Sequence, residues 1–495
     1  MSLPPELLDC ILSHLNPEEL ARLAQTCSRF NVHATDDHMW HRFIQANLPT
    51  VHLTSPYPFA TYHELYWAHE PRWFLPRYKI WVSNRDHAGK LVIARYDQRR
   101  GCIEGYQLVA VNRSPGSLDE RFSTLQNKLV ALHSFSPDVG LHLDKPILHL
   151  PAVPDQLSPT VVPVNRGRDG GGGGGQSNGS TSASSRPGAH VPRGTFRPRV
   201  PMGLNTPRAG IHSSFVQARP VTDAYPGGDR AFLWPSRHIP ARHRFQCFWN
   251  HDTMVPAHAI PTKRSEASEY GFHVRRWMER HQPIPPEFAS LYSYNRDDVA
   301  EASLSSHLRI VGETWTYATL DPALYTPTPA KPWRGIWVGD YSDHGCEFIL
   351  MHQPDDDFDP ATITQHRDET DADFARRKHD ETVYRGQLLG IKLTGDPNVP
   401  RGEISLMVDD LGPAGRGAGL EGEPFDGVRS VKCKGHVAAP IFMNDHFLDC
   451  ELMLMSHDEL ALCWKALDPD RHIVLFYKRL DIDQFLDPQR QSFGV

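Results

Sequence analysis

The side chains of this chain that could do chemistry are numerous but poorly arranged for catalysis. No G-x-x-x-x-G-K-[ST] phosphate loop and no H-E-x-x-H helix occurs in its 495 residues, and the G-x-S-x-G string at Gly175–Gly179 sits in a Gly/Ser-rich run with no strand or helix pattern to make it a nucleophile elbow. His63-Glu64 is followed by His69, the wrong spacing for a zinc helix. Gly417 to Gly422 satisfies G-x-G-x-x-G, but it lies in a Gly/Pro-rich loop with no helix after it, which argues against a dinucleotide site. His238, His243, Cys247, His251 and His258 match no structural zinc spacing. No catalytic residue, metal or cofactor is therefore expected. The residue types that do converge suit holding another chain. Trp333 to Leu350 reads as a β-hairpin with Trp337, Gly339 and Tyr341 on one face and Ile336 and Val338 on the other. Glycine between two aromatics leaves a hollow where a chain can approach closely. Ile391 to Gly402 follows as a strand and a tight turn, and Lys392, His344 and Asp396 are the candidate polar contacts to a peptide tail.

The N-terminus carries a second pattern. Leu7, Leu8, Ile11, Leu12 and Leu15 fall on one broad face at helical spacing, with Pro4 and Pro5 suited to a first turn. Asn16-Pro17-Glu18-Glu19 is a second start signal, and Leu20, Leu23, Ala24 and Cys27 continue it. A third short helix is expected near Asp36, carrying Met39, Trp40, Phe43 and Ile44. Helices this short are marginal alone in water and present more apolar surface than they can bury among themselves. A partner is implied.

The string L-P-x-E-L-L-x-x-I-L-x-x-L-x-P-x-x-L closing on a tryptophan resembles the F-box family. The resemblance implies docking on a Skp adaptor and, through it, on cullin and a RING subunit. Leu3, Pro4, Leu7, Ile11, Leu12, Leu15, Leu20 and Trp40 match positions that the family uses for its own packing or for that contact. The hairpin at 331–352 and the K-L-T-G-D-P-N-V-P-x-G turn are together similar to the substrate-binding region of the F-box only protein 31 family. Lys90–Ala110, with Arg95-Tyr96-Asp97 and Arg100 to Tyr106, is similar to its fungal members. This implies a β-barrel-like cargo domain that recruits degron-bearing protein substrates for ubiquitination, with Trp337, Gly339, Tyr341, His344, Lys392 and Asp396 near the cargo. A non-proteolytic F-box adaptor and a barrel binding a small ligand are the alternatives.

Composition frames these motifs. The chain carries 59 acidic and 52 basic side chains, a formal charge of −7 that gives no reason to expect nucleic acid. No apolar run approaches the roughly 18 residues of a membrane span, and no secretory signal is expected. Eight cysteines are scattered without a C-x-x-C pair, which suits reduced thiols in cytoplasm or nucleus. The fold class expected is α+β: a three-helix unit over 1–48, then a mainly antiparallel barrel-like or sandwich domain. That domain begins at 49–150, behind an aromatic joint from Tyr57 to Tyr78, and resumes at 229–495. Between them 151–228, rich in Pro, Gly, Ser and Arg, reads as a disordered insertion. Glu266–His281 reads as a helix, Asp355–Asp380 as an exposed acidic loop, and eight strands are expected between Arg334 and Lys478.

Overall fold

The computed structural model describes residues 4–83, 88–112, 120–125, 128–133, 135–152, 196–202, 212–220, 260–280, 309–341, 344–465 and 471–489. The N-terminal unit has four helices rather than three: α1 (Pro5–Leu12), α2 (Pro17–Leu23), α3 (Ser28–Ala34) and α4 (Asp37–Gln45). At α2 the Asn16 side chain accepts from the Glu19 amide while the Glu19 carboxylate accepts from the Asn16 amide, both at 2.9 Å, closing a capping box. The unexpected helix α3 buries a single residue, Ala34, so it carries no hydrophobic period to read.

Trp40 centres this unit. It is fully buried, its indole N–H donates to the Ala34 carbonyl at 2.8 Å, and its ring meets His63 edge-on at 4.6 Å. His63 belongs to α5 (Tyr62–His69), and α6 (Phe74–Tyr78) follows. Trp73 and Trp81 donate their indole N–H groups to the carbonyls of Tyr66 and Leu75, each at 3.0 Å. The aromatic joint is thus a packed, hydrogen-bonded core rather than a ligand platform.

Beyond it lies an eight-stranded antiparallel sheet. Its strands are β1 (Ile80–Ser83), β2 (Leu91–Asp97), β3 (Cys102–Asn112), β6 (Pro137–Pro151), β7 (Arg199–Met202), β8 (His212–Gln217), β9 (Gly271–Arg280) and β10 (Arg309–Ala318). Their order is β6-β3-β2-β1-β10-β9-β8-β7. Strand alternation explains how this sheet is covered on both sides. Trp81, Val92, Ala94, Phe272 and Tyr317 face the helices, while Ile80, Val82, Leu91 and Ile93 face the next layer.

That next layer is a barrel. Strands β11 (Gly335–Asp340), β12 (Cys346–His352), β13 (Leu388–Lys392), β14 (Ile404–Val408), β15 (Arg429–Ala439), β16 (Met443–Leu454), β17 (Glu459–Trp464) and β18 (Arg471–Arg479) pair antiparallel in chain order. Pairing of β18 with β11 closes the ring. A hairpin of β4 (Glu120–Leu125) and β5 (Lys128–His133), supplied by the first half of the chain, adds to β18 in parallel. Ile336, Val338, Leu350 and Ile391 point out from the barrel onto the sheet, and Trp337, Ile349, Leu406 and Tyr477 fill its inside.

Three further expectations need correction. Glu266–His281 is not a helix: Gly271–Arg280 is strand β9, in register with β10 along its whole length, because Phe272 and Val274 are buried by alternation. Arg199–Met202 and His212–Gln217, inside the stretch assigned to the insertion, form strands that bury Met202 and Phe215. The acidic stretch holds the helix α8 (Asp371–Val383), the short α7 being Pro322–Tyr325. Thr370 caps α8 by accepting from the Asp373 amide at 3.2 Å, and Asp371 and Asp373 lie in its first turn, where carboxylates suit the helix dipole. The His238–His258 cluster lies outside the described residues.

Candidate functional site

Two surfaces collect the residues singled out in the sequence. On the helical unit, Leu12, Leu20 and Trp40 are core, Leu15 packs partly against it, Pro4 is the exposed cap of α1, and Leu3 lies outside the described residues. What remains outside is a set of large apolar side chains: Leu7 and Ile11, each 52% exposed, and Val32 at 70%. Leu7 and Ile11 stand one turn apart on α1, and Val32 comes from α3, which contacts α1. Val32 escaped the sequence reading because α3 itself did.

The second surface is one end of the barrel, where β11 turns to β12, β13 to β14 and β15 to β16. Trp337 does not face a partner here. It is fully buried, donates its indole N–H to the Trp333 carbonyl at 3.1 Å, and carries the Arg479 guanidinium 4.8 Å above its ring. The hollow expected at Gly339 is filled from within, since a Cβ there would lie 2.5 Å from the Tyr477 ring. Tyr477 donates its hydroxyl to that of Tyr341 at 3.1 Å, and Tyr341 and Ser405 share a hydrogen bond of 2.7 Å.

Lys392 is likewise buried. Its Nζ sits 2.7 Å from Glu347 Oε2, pairs closely with Asp396, and lies 4.4 Å from the centre of the Tyr341 ring. The turn after β13 wraps on Asp396, whose Oδ1 accepts the amides of Asn398 at 2.6 Å and Val399 at 2.7 Å. His344 is exposed, with Nε2 3.4 Å from Asn398 Nδ2. Burial pushes Glu347 up to about 8, with Asp396 adding to the rise and Lys392 opposing it. Burial also raises Asp396, but Lys392 and its hydrogen bonds outweigh that and bring it down to about 2. One lysine faces two carboxylates in a dry space, and the two are driven apart, Glu347 toward its protonated form and Asp396 toward its charged form.

This polar floor adjoins an apolar wall. Val437, Leu448, Ile473 and Leu475 pack on the barrel interior yet remain half-buried, beside Trp464. The buried Trp464 Nε1 has no hydrogen-bond partner among the described residues. Trp464 Nε1 and the Glu347 carboxyl are thus buried polar groups of the barrel. Alternation at Val431, Cys433, Gly435 and Val437 placed these positions on one face in the sequence, but only closure makes that face an interior. Among the described residues no group of three or more His, Cys, Asp or Glu is placed to hold a metal, and no described helix is long and apolar enough to cross a membrane.

Comparison with known proteins follows the same division. Residues 1–46 match the family model described as F-box-like. The chain carries an F-box-like domain. Residues 317–484, which contain the whole barrel, match the model described as the cyclin D1 binding domain. The chain is also similar to the rice (Oryza sativa subsp. japonica) Protein EXECUTER 2, chloroplastic, at 28% identity over 132 residues, 26% of this chain. The match covers 18% of that relative's length, so it bears on a shared segment alone. In the F-box-like domain the exposed Leu7, Ile11 and Val32 stand apart from a core that Leu12, Leu20 and Trp40 already complete.

Proposed function

We propose that this protein is the substrate-recognition subunit of a Skp–cullin–F-box ubiquitin ligase, of the kind represented by the F-box only protein 31 family. The observation that carries the reading is the exposure of Leu7 and Ile11, one turn apart on α1, together with that of Val32 on α3, in a domain that matches the F-box-like model. A patch of this kind marks an interaction site, and a Skp adaptor linked to cullin and a RING subunit is the partner it implies. The match of the barrel to the cyclin D1 binding domain supports a cargo-holding role for the other end.

In this reading the barrel end is a binding surface, and the chain works by holding cargo near a charged conjugating enzyme. Cargo would be a degron-bearing protein entering between Tyr341, His344 and the half-buried wall, in cytoplasm or nucleus. The test is reconstitution: the chain should co-purify with a Skp adaptor and cullin, and proteins captured through the barrel should gain ubiquitin when the full complex is supplied. Capture of adaptor without cullin would reject the ligase in favour of a non-proteolytic adaptor role.

A further inference from the structure

The hairpin of β2 and β3 carries a group of charges that neither surface uses. Glu104 and Asp97 are fully buried carboxylates. Arg95 donates Nε to Glu104 Oε1 at 2.8 Å, and Arg100 pairs with Asp97 at 2.9 Å and closely with Glu104. Arg99 binds Asp97 at 3.0 Å, and the Tyr106 hydroxyl donates to Glu104 at 3.2 Å. Buried ion pairs of this kind contribute little net stability against an apolar equivalent, and a geometric role is their best-attested use.

The surroundings show what geometry is held. On one side Arg95 donates its second nitrogen to the Phe485 carbonyl at 3.0 Å. Phe485 lies on the strap that leaves β18 and runs over the sheet, with Leu480, Ile482 and Leu486 in the sheet–barrel core and Asp483 on Lys79 at 2.7 Å. On the other side the turn of the same hairpin grips the segment that leaves the F-box-like domain. Gln98 Oε1 accepts from the Thr54 amide at 3.0 Å, the Tyr96 hydroxyl donates to the Tyr57 carbonyl at 3.3 Å, and Gly101 (φ +57°) packs on Pro58, where a Cβ would lie 2.3 Å from its ring. That segment is in turn tied to α4, through Gln45 to Leu53 at 2.9 Å and His41 to the Leu53 carbonyl at 3.0 Å.

We infer that the β2–β3 hairpin is a positioning clasp: through Arg95, Asp97, Arg100 and Glu104 it holds the barrel's C-terminal strap and the F-box-like domain's linker in one fixed register. Resting on the receptor reading, the clasp sets the distance between bound cargo and the adaptor. Arg95 and Glu104 are positioning residues and touch neither partner. A hinge at this point would let the two ends swing, as connections between packed units do when their contacts are cut.

The test uses the full chain with spin labels on genetically encoded azido residues at Arg22, on α2, and Met443, the first residue of β16, both exposed. Pulsed dipolar measurement should give one narrow distance in the parent chain. Arg95→Met and truncation after Asp481 should each broaden it at least twofold, with Arg95→Lys intermediate and Skp capture unchanged. An unchanged width in both variants overturns the clasp. Should Arg95→Met fail to fold, Gln98→Ala removes only the exposed linker contact, and its width decides in the same way. Failure of the parent chain to capture Skp would remove the receptor reading while leaving the distance result to stand.

Discussion

Trp337 and Lys392 show how a residue can match a motif and serve the fold. Trp337→Ala removes a fully buried indole with its hydrogen bond and should destabilise the barrel by about 3–5 kcal/mol, read as a lowered melting temperature. A variant that melts normally would mean the ring is not core. The Glu347 site adds a pH dependence with a definite sign. Its carboxyl is raised from 4.5 to about 8, so the folded chain holds a proton that the unfolded chain gives up above 4.5. Its contribution is therefore full below about 4.5, falls by at most about 1.4 kcal/mol per unit as pH rises to 8, and is flat beyond. Asp396, lowered to about 2, acts in the other window and loses its contribution as pH falls from 3.8. Glu347→Gln should flatten the stability profile between pH 5 and 8, measured by chemical denaturation across that range. An unaltered slope would place the proton elsewhere.

At the scale of elements, α1 separates two roles along one helix. Leu12 and Leu8 face inward, whereas Leu7 and Ile11 face out. Leu7→Asp and Ile11→Asp should leave the melting curve within about 0.5 kcal/mol of the parent and abolish Skp capture. Leu12→Asp should unfold the F-box-like domain by placing an unpaired charge in its core. Equal effects of all three on folding would dissolve the distinction. Strand β9 teaches a related lesson: its arginines and aromatics mimic a helical period, and pairing with β8 and β10 decides the outcome.

For the whole molecule, the central sheet carries the helical unit on one face and the barrel on the other, so its extent matters to both. Replacing residues 199–217 with a short linker would strip Met202 and Phe215 from the core and uncover the edge of β9. We expect a loss of several kcal/mol, on the scale of a few large-to-small core changes, measured by denaturant unfolding. Unchanged stability would show that β7 and β8 are dispensable. Proline, glycine and serine in the neighbouring sequence masked two short strands whose only signal was a handful of apolar residues.

Much of this organisation was legible in the chain itself, because local physics suffices for it. The helix starts at Pro5 and Asn16, the eight barrel strands and the turn at Gln98–Gly101 are written in capping residues, period-2 alternation and glycine placement, which act over a few neighbours. The role of each side chain was not local. Whether Leu7 or Leu12 is exposed depends on where α3 and α4 pack; whether Gly339 is a hollow depends on Tyr477, more than a hundred residues away. Lys392 looked available because Asp396, four residues on, does not by itself announce burial, and Glu347 comes from the neighbouring strand β12, more than forty residues earlier. Strand periodicity assigns a residue to one of two faces, and only closure of the barrel and stacking of the sheet turned one face into interior, leaving Val437, Leu448, Ile473 and Leu475 half-buried against it.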